Sequence, residues 1–526
     1  MYRYLQSFVK DNWKYLLCIF ILFFVTFFRI ALISYLPFGV RITRPYDQVL
    51  MANMAKNIIN TGWLGIYDDK ILTKGIICPF FLVGSHISRL PYYIFFTLFY
   101  IISVLVFLKS IYHLLGNKRT IILYLIFLFN PVSFSKTTFL EIYRNSLGMC
   151  TVLLFIAAFI FLYRNYQKRL SHLFSSMFLG FVIMLILYTR EDGIWIYPTL
   201  ILFLIVFFLK CRRLYVIRFF ITIFLIFIPT LTFGSVIKMI NYDHYGIYYI
   251  NELKEGYYPK FFLDLLQIDG VKRKYHQVLT KESLEKAFEV SPTLGELKED
   301  FEKEFFRYED NFLTDYSMWS VRTFIYNKNH FTSGKDASKY FETVYKELEN
   351  GFKSGYLKRD KRVLSIFFNR FNKGDFLRVL KQTLESIKFS VQYDGYSFYH
   401  INMYDEELGK LFNSKIEKDV ASDDYNAFFN IFRSIHKIYK VIFPVVFIIS
   451  LIKYICLLFN LVVRKRKSEV LFISSLVVLS YLSLIFGISY TKVATFDAIS
   501  SYYFVPVYSL QVMFVGVLLF SNRRKV

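Results

Sequence analysis

Four short polar stretches carry the residue types that do chemistry in this 526-residue chain. The first reads Arg41-Ile-Thr-Arg44-Pro45-Tyr46-Asp47-Gln48 and continues, after a patterned stretch, to Lys74-Gly75 and Cys78-Pro79. The second reads Lys136-Thr-Thr-Phe-Leu-Glu141-Ile-Tyr143-Arg144-Asn145, and the third Tyr188-Thr-Arg190-Glu191-Asp192-Gly193-Ile-Trp195. The fourth runs from Tyr490 to Tyr503 around Asp497. A carboxylate held near a hydroxyl is a general base, and Arg or Lys binds phosphate oxygens through charge-assisted hydrogen bonds. Plainer readings exist. Glu141 and Arg144 are three apart and would simply pair on a short helix. Arg190-Glu191-Asp192 would be a polar turn completed by Gly193, although a turn needs no run of three charges.

The elements that must position these stretches are membrane spans. Hydrophobic residues make up 55% of the chain, and mean hydropathy is +0.39. Roughly 20 consecutive apolar residues cross a bilayer as a helix. Such runs occur at about 14–36, 91–113, 120–135, 147–163, 172–189, 194–210, 216–237, 438–462, 469–489 and 502–520. Basic clusters fall at every second gap: Arg3/Lys10/Lys14, Lys109/Lys118/Arg119, Arg164/Lys168/Arg169, Lys210/Arg212/Arg213/Arg218, Arg464 to Lys467, and Arg523/Arg524/Lys525. Basic loops stay cytoplasmic, so ten spans with both termini cytoplasmic satisfy all six. The first span lacks a small-residue cleavage site and is expected to act as an uncleaved anchor. The expected fold is an all-α polytopic membrane protein of about ten transmembrane helices. It divides into an N-terminal membrane domain at 1–240 with a long first outer loop at 37–75, a mainly helical extracytoplasmic insertion at 241–436, and C-terminal membrane helices at 437–526. The short apolar run 75–88 is a re-entrant or interfacial segment, or else an added span.

Charge excludes one class outright. Residues 241–436 hold 29 of the 64 Lys and Arg and 31 of the 40 Asp and Glu, so the excess of +24 belongs to the apolar part. No basic domain is left to grip a nucleic acid backbone. Of the nine acids outside that segment, Asp11 and Glu469 fall on the cytoplasmic side, and Asp47, Asp68, Asp69, Glu141, Glu191, Asp192 and Asp497 on the outer one. Acids near the membrane are costly and usually functional or paired. The first outer loop also carries Arg41, Arg44, Lys56, Lys70 and Lys74, against the positive-inside trend. Either the topology is locally wrong or these cations serve an anionic ligand such as a phosphate. The second reading agrees with the frame set by the other clusters.

The insertion reads as helices. Thr280 with Ser283 caps one start, Leu294 to Phe306 and Tyr340 to Phe352 have helical spacing, and Arg362 to Phe371 and Phe376 to Ile387 are further helices. Residues 391–404 are ambiguous and would accommodate short strands. No His/Cys cluster, glycine-rich phosphate loop or Gly-x-Ser-x-Gly occurs there, so a lid or acceptor-recognition role is the economical reading. The five cysteines show no metal or disulfide spacing.

This arrangement resembles the GT-C superfamily of integral-membrane glycosyltransferases, which includes the protein O-mannosyltransferases and the aminoarabinose transferases. The resemblance rests on Tyr46-Asp47 in the first outer loop, Gly62-Trp63, Lys74-Gly75-Ile-Ile-Cys-Pro79, the Tyr143-Arg144 and Thr189-to-Gly193 turns, and Met318-Trp319-Ser-Val-Arg322 in the insertion. Gln48 stands where the family often has a second acid. The resemblance implies transfer of a sugar from a polyprenyl-phosphate donor to a glycan, lipid or protein acceptor at the outer face of the lipid bilayer. It makes Asp47 the base, with Arg44, Lys74, Arg144 and Arg190 on the phosphate. Glu191 and Asp192, with Glu141 nearby, would orient the acceptor or bind a divalent cation, Mg or Mn. The rival classes are an outer-face polysaccharide polymerase or ligase, with its arginines in the large loop, a transporter or flippase, with internal repeats, and a purely structural assembly protein.

Overall fold

The computed structural model describes residues 20–34, 36, 38–42, 45–135, 138, 141–190, 193–211, 216–271, 278–306, 316–366, 373–396, 405–412, 422–494 and 501–522. In chain order the first part builds α1 (Phe20–Ser34), α2 (Leu50–Thr61), α3 (Ile77–Ile87), α4 (Tyr92–Leu115), α5 (Asn117–Leu128), α6 (Arg144–Asn165), α7 (Arg169–Thr189), α8 (Tyr197–Cys211) and α9 (Val216–Tyr245). The large segment supplies α10 (Tyr258–Gln267), α11 (Lys281–Val290), the short α12 (Pro292–Gly295) and α13 (Lys298–Asp300), α14 (Tyr316–Asn329), α15 (Gly334–Lys353), α16 (Lys373–Val391) and α17 (Glu406–Leu411). The chain closes with α18 (Ser422–Arg464), α19 (Glu469–Ala494) and α20 (Val505–Phe520). Among the described residues there is no β-strand; isolated bridges join Gly39 to Glu141 and Ile268 to Arg359.

The protein is an all-α polytopic membrane protein. Among the described residues eight helices are long and apolar enough to cross a bilayer: α4, α6, α7, α8 with its lead-in from Gly193, α9, the Asn430–Arg464 part of α18, α19, and α20 with its lead-in from Ser501. The other two expected spans are shorter. α1 is described from Phe20. α5 has 12 residues, about 18 Å of helix, and so ends well short of residue 135. The cause is Asn130-Pro131. Proline disfavours helix in the residue before it, and the Asn130 side chain instead accepts from Val132 N at 3.0 Å to start a 3-10 turn. The carbonyl that α5 leaves free at Leu128 accepts from the fully buried Arg29 of α1. The Arg29 guanidinium also lies 4.1 Å from the centre of the Phe134 ring. α3, at 11 residues, rises about 16 Å. That is about half the thickness of a bilayer's hydrocarbon core.

Three expectations for the large segment change. Residues 294–306 form short pieces, α12, α13 and a π-turn, rather than one helix. Residues 362–366 are not helical: Asp360 accepts from the Arg362 backbone N–H at 3.0 Å and holds its guanidinium in a turn; 367–372 lie outside the described residues. α16 is a helix as expected, and one of its faces packs on membrane spans. Ser386 bonds Ser489 at 3.0 Å, and Ser390 accepts from Gln511 at 2.9 Å and meets Tyr481 at 3.3 Å. Tyr481 and Gln511 are central in α19 and α20. α16 therefore dips into the bundle and turns back at Tyr393, whose ring is wrapped by Tyr439, Phe443 and Tyr508. Residues 391–396 finish this helix and turn without forming a strand, and 397–404 lie outside the described residues.

A buried ion pair within the large segment anchors the first loop through Tyr67 and the Asp69 carbonyl. Arg322 of α14 bonds Glu252, and both are nearly inaccessible. Tyr67 donates to Glu252 at 3.0 Å, and Arg322 donates to the Asp69 carbonyl at 3.1 Å. Trp63 and Tyr67 are thus buried in this joint rather than lying at a lipid interface; Trp63 donates to Asn241 of α9 at 3.0 Å. Removing one partner of such a pair strands a buried charge, which costs about 3–5 kcal/mol. Arg322→Ala is expected to lower the melting temperature of the detergent-purified protein markedly. Lys328→Ala, in an exposed pair with Asp300 and Glu304, is expected to change it little. Equal melting of the two variants would show that the pair does not anchor the loop.

Candidate functional site

Asp47 lies in a π-helical turn, Pro45–Val49, that runs into α2. Its neighbours fix that turn. The Arg41 backbone N–H donates to the Gln48 side chain at 2.9 Å, and the Gln48 amide donates to Glu141. Glu141, 1% exposed, also lies 3.7 Å from Arg41 and bridges Gly39. Glu141 therefore ties the first polar stretch to the second. It precedes α6 instead of sharing a helix with Arg144, as the three-residue spacing had suggested.

Lys74 is fixed by another turn. Asp68 accepts from the Lys70 and Ile71 backbone N–H groups at 2.8 and 2.7 Å. The Leu72 carbonyl accepts from Glu252 N at 2.7 Å, and the Thr73 carbonyl from Asn251 at 3.1 Å. Gly75 follows, and here only glycine fits: a Cβ would stand 2.3 Å from the Tyr188 carbonyl oxygen and 2.7 Å from that of Thr189. This close approach presses the Lys74 turn against the end of α7, where Arg190 emerges. Arg144 opens α6. Two loop turns and two helix ends thus meet at one rim of the bundle.

The charges meet there. Lys74 Nζ is 3.3 Å from Asp47 Oδ1, and Arg144 Nη2 is 4.0 Å from the same oxygen. Arg190 acts on Asp47 electrostatically, donates to Asn145, and lies 5.1 Å from the centre of the Tyr503 ring. Asn145 in turn donates to the Tyr502 carbonyl at 2.9 Å. The Trp319 ring, from α14, covers Lys74 at 4.5 Å. The Lys74 and Arg144 side chains are 10% and 9% exposed and that of Asp47 is 32%, so the carboxylate is the member open to an incoming molecule. Burial pushes the Asp47 carboxyl up, but Lys74, Arg144 and Arg190 outweigh it and hold the group below its ordinary value. Chemically, the arrangement can bind an anion on the cations and receive a proton on the carboxylate.

Asp47, Lys74, Arg144 and Arg190 are brought together from four separate stretches. Arg44, Glu191 and Asp192 lie outside the described residues, as does Asp497. Glu141 supports the site from behind. Asp68 and Asp69 are turn and joint residues, since Asp69 accepts from Thr323 at 2.6 Å. Asn145 and Tyr503 belong to the second and fourth polar stretches, and Trp319 to the Met318–Arg322 stretch, but nothing local in the sequence marks any of the three as a neighbour of Asp47 or Lys74. Among the described residues no three His, Cys, Asp or Glu side chains converge to hold a metal ion, so no described set of ligands exists for Mg or Mn.

The opposite rim has its own charges. Glu469, at the start of α19, lies 3.0 Å from His113 at the end of α4 and 3.9 Å from Arg164 at the end of α6. α6 runs from Arg144 at one rim to Arg164 at the other. Residues 47 and 190 accordingly share a rim, and the basic clusters of residues 113–119, 164 and 464–467 lie at the other.

No protein-family model matches this chain, and no curated protein matches it in sequence. Among solved structures it is similar to the crystal structure of ArnT from Cupriavidus metallidurans in the apo state. That match has 12% identity and a TM-score of 0.34, and it covers 97% of this chain and 78% of that one.

The lowered acidity of Asp47 has a measurable sign. Its ion-pair contribution is present above the ordinary carboxylate range and is lost as pH falls through the depressed value. Infrared difference spectra, with Asp47→Asn to identify the band, should show protonation of Asp47 only at unusually low pH. Lys74→Met should move that titration upward. An unmoved titration would mean that Lys74 does not hold the carboxylate.

Proposed function

We propose that this chain is an integral-membrane glycosyltransferase of the GT-C kind. It moves a sugar from a polyprenyl-phosphate-linked donor to an acceptor hydroxyl on the outer face, with Asp47 as general base. One observation carries the reading: a partly open carboxylate with Lys74 at 3.3 Å, Arg144 at 4.0 Å and Arg190 acting on the same group, at the end of a bundle of spans. Transfer from a lipid phosphate needs a proton acceptor and phosphate-binding cations at one point, at headgroup depth, beside lipid that can take a long apolar tail.

In the reaction the acceptor oxygen bonds to the anomeric carbon and the bond from that carbon to the phosphate oxygen breaks. Asp47 receives the hydroxyl proton, and polyprenyl phosphate leaves with one more negative charge. Lys74, Arg144 and Arg190 stabilise that charge as it develops. Single displacement inverts the sugar carbon. Asp47 is a weak base while the cations face it alone. Donor phosphate would draw them away and raise its basicity, so the base would be activated only when the donor is bound. Arg44 would extend the phosphate contacts, and Glu191 and Asp192 would orient the acceptor. The re-entrant α16 and Trp319 bring the large segment to the same rim, which supports a role for it in recognising the acceptor.

Asp47→Asn is expected to reduce transfer from polyprenyl-phosphate sugars by about 100-fold or more, with the protein still folded in the membrane. Normal transfer in that variant would remove Asp47 as the base. Arg190→Ala is expected to raise the apparent KM for donor by about tenfold, whereas an unchanged KM would make Arg190 a structural residue held by Asn145 and Tyr503.

A further inference from the structure

The rim opposite Asp47 holds a cavity of about 660 Å³ whose lining includes Arg119, Lys453, Leu457, Asn460, Arg466 and Leu519. Lys453, Leu457 and Asn460 share one face of α18, at helical spacing. Arg466 follows the end of that helix, and Arg119 comes from the first turn of α5. Lys453 donates to the carbonyl of Leu518, two residues before α20 ends, and Arg119 donates to that of Phe520 at 3.0 Å. The two charges therefore sit where α20 ends, the depth at which a span meets the headgroups. A guanidinium has five donors, and the Phe520 carbonyl engages Nη1 of Arg119. Among the described residues lining the cavity there is no carboxylate. The acid next in the chain, Glu469, is directed at His113 and Arg164. On the bilayer side of Lys453, α18 exposes Val445, Ile448, Ile449 and Ile452, the apolar face that a spanning helix turns to acyl chains.

We propose that this cavity binds the phosphate headgroup of an anionic phospholipid of the adjoining leaflet, with its acyl chains lying along α18. Charge complementarity selects the occupant: three cations converge between helices at the interface, where anionic headgroups collect. A soluble phosphate would satisfy the cations but leave the Leu457 and Leu519 wall and the exposed face of α18 unused. The inference is independent of the transfer reaction and of Asp47.

The test uses the purified full-length protein with phosphatidylglycerol and phosphatidylcholine as probes, and native mass spectrometry to count retained lipid. Phosphatidylglycerol should be retained preferentially, and Lys453→Gln combined with Arg466→Gln should weaken its retention roughly tenfold. Equal retention of the two lipids by the unaltered protein, or an undiminished preference in the double variant, overturns the proposal. So does equal stabilisation by glycerol phosphate in detergent, which would make the ligand a soluble anion. A photoactivatable phosphatidylglycerol needs no variant and covers the case in which the double substitution misfolds. Crosslinks should fall within 453–468 and 519–521, and crosslinks confined to other spans overturn the assignment.

Discussion

Lys74 and Arg144 both approach one oxygen of Asp47, at 3.3 and 4.0 Å, and Arg190 bears on the same carboxylate from the end of α7. Like charges this close repel strongly wherever water is partly excluded, and they stay together only because each backbone is held separately. Glu141 and Gln48 hold the Asp47 turn, Asn251 and Glu252 hold the Lys74 turn, and helix ends hold Arg144 and Arg190. Several of the buried polar contacts near this rim serve that purpose. Gly75 shows how close the fit is, since a single methyl group there would displace the Lys74 turn from the end of α7.

The joint between the first loop and the large segment extends the same logic. Arg322 and Glu252 are taken out of water together, with Tyr67 and the Asp69 carbonyl satisfying what the pair leaves over. A buried pair of this kind adds little net stability over a well-packed apolar contact, but loss of either partner strands a buried charge. The backbone of Glu252 contacts Leu72, two residues from Lys74, so the large segment sets where the lysine sits. Trp319, one turn before Arg322 on α14, then lays its ring over that ammonium. The large segment thus shapes the site through position.

The bilayer imposes the remaining order. A carboxylate or cation within the acyl core is expensive, and the charged groups of the bundle are accordingly gathered at its two ends. Asp47 with its cations occupies one rim; Glu469 with His113 and Arg164, and Arg119 with Lys453, occupy the other. Arg29 departs from this order. It is buried within α1, and its charge is met by carbonyls that the early end of α5 exposes and by the faces of Tyr100 and Phe134. α16 departs in the opposite sense. It belongs by sequence to the polar segment, yet Ser386 and Ser390 anchor it among α19 and α20.

The sequence by itself determined the helical membrane architecture, because long apolar runs and the alternation of basic clusters follow directly from the cost of placing charge and unpaired backbone in lipid. It also marked Asp47, Lys74, Arg144 and Arg190 individually, since charges at the edges of apolar runs stand out in a one-dimensional pattern. Only the tertiary structure decided that these four meet, that Glu141 braces the loop rather than pairing along a helix, and that Trp319 reaches Lys74 from a distance of more than 200 residues in the chain. The same holds for the early end of α5 and the descent of α16. An amphipathic helix has one periodicity whether its apolar face meets a soluble core or other spans, so its pattern cannot say which. Contacts between distant stretches depend on helix ends and turn geometry, which accumulate over the whole fold and leave no local signature.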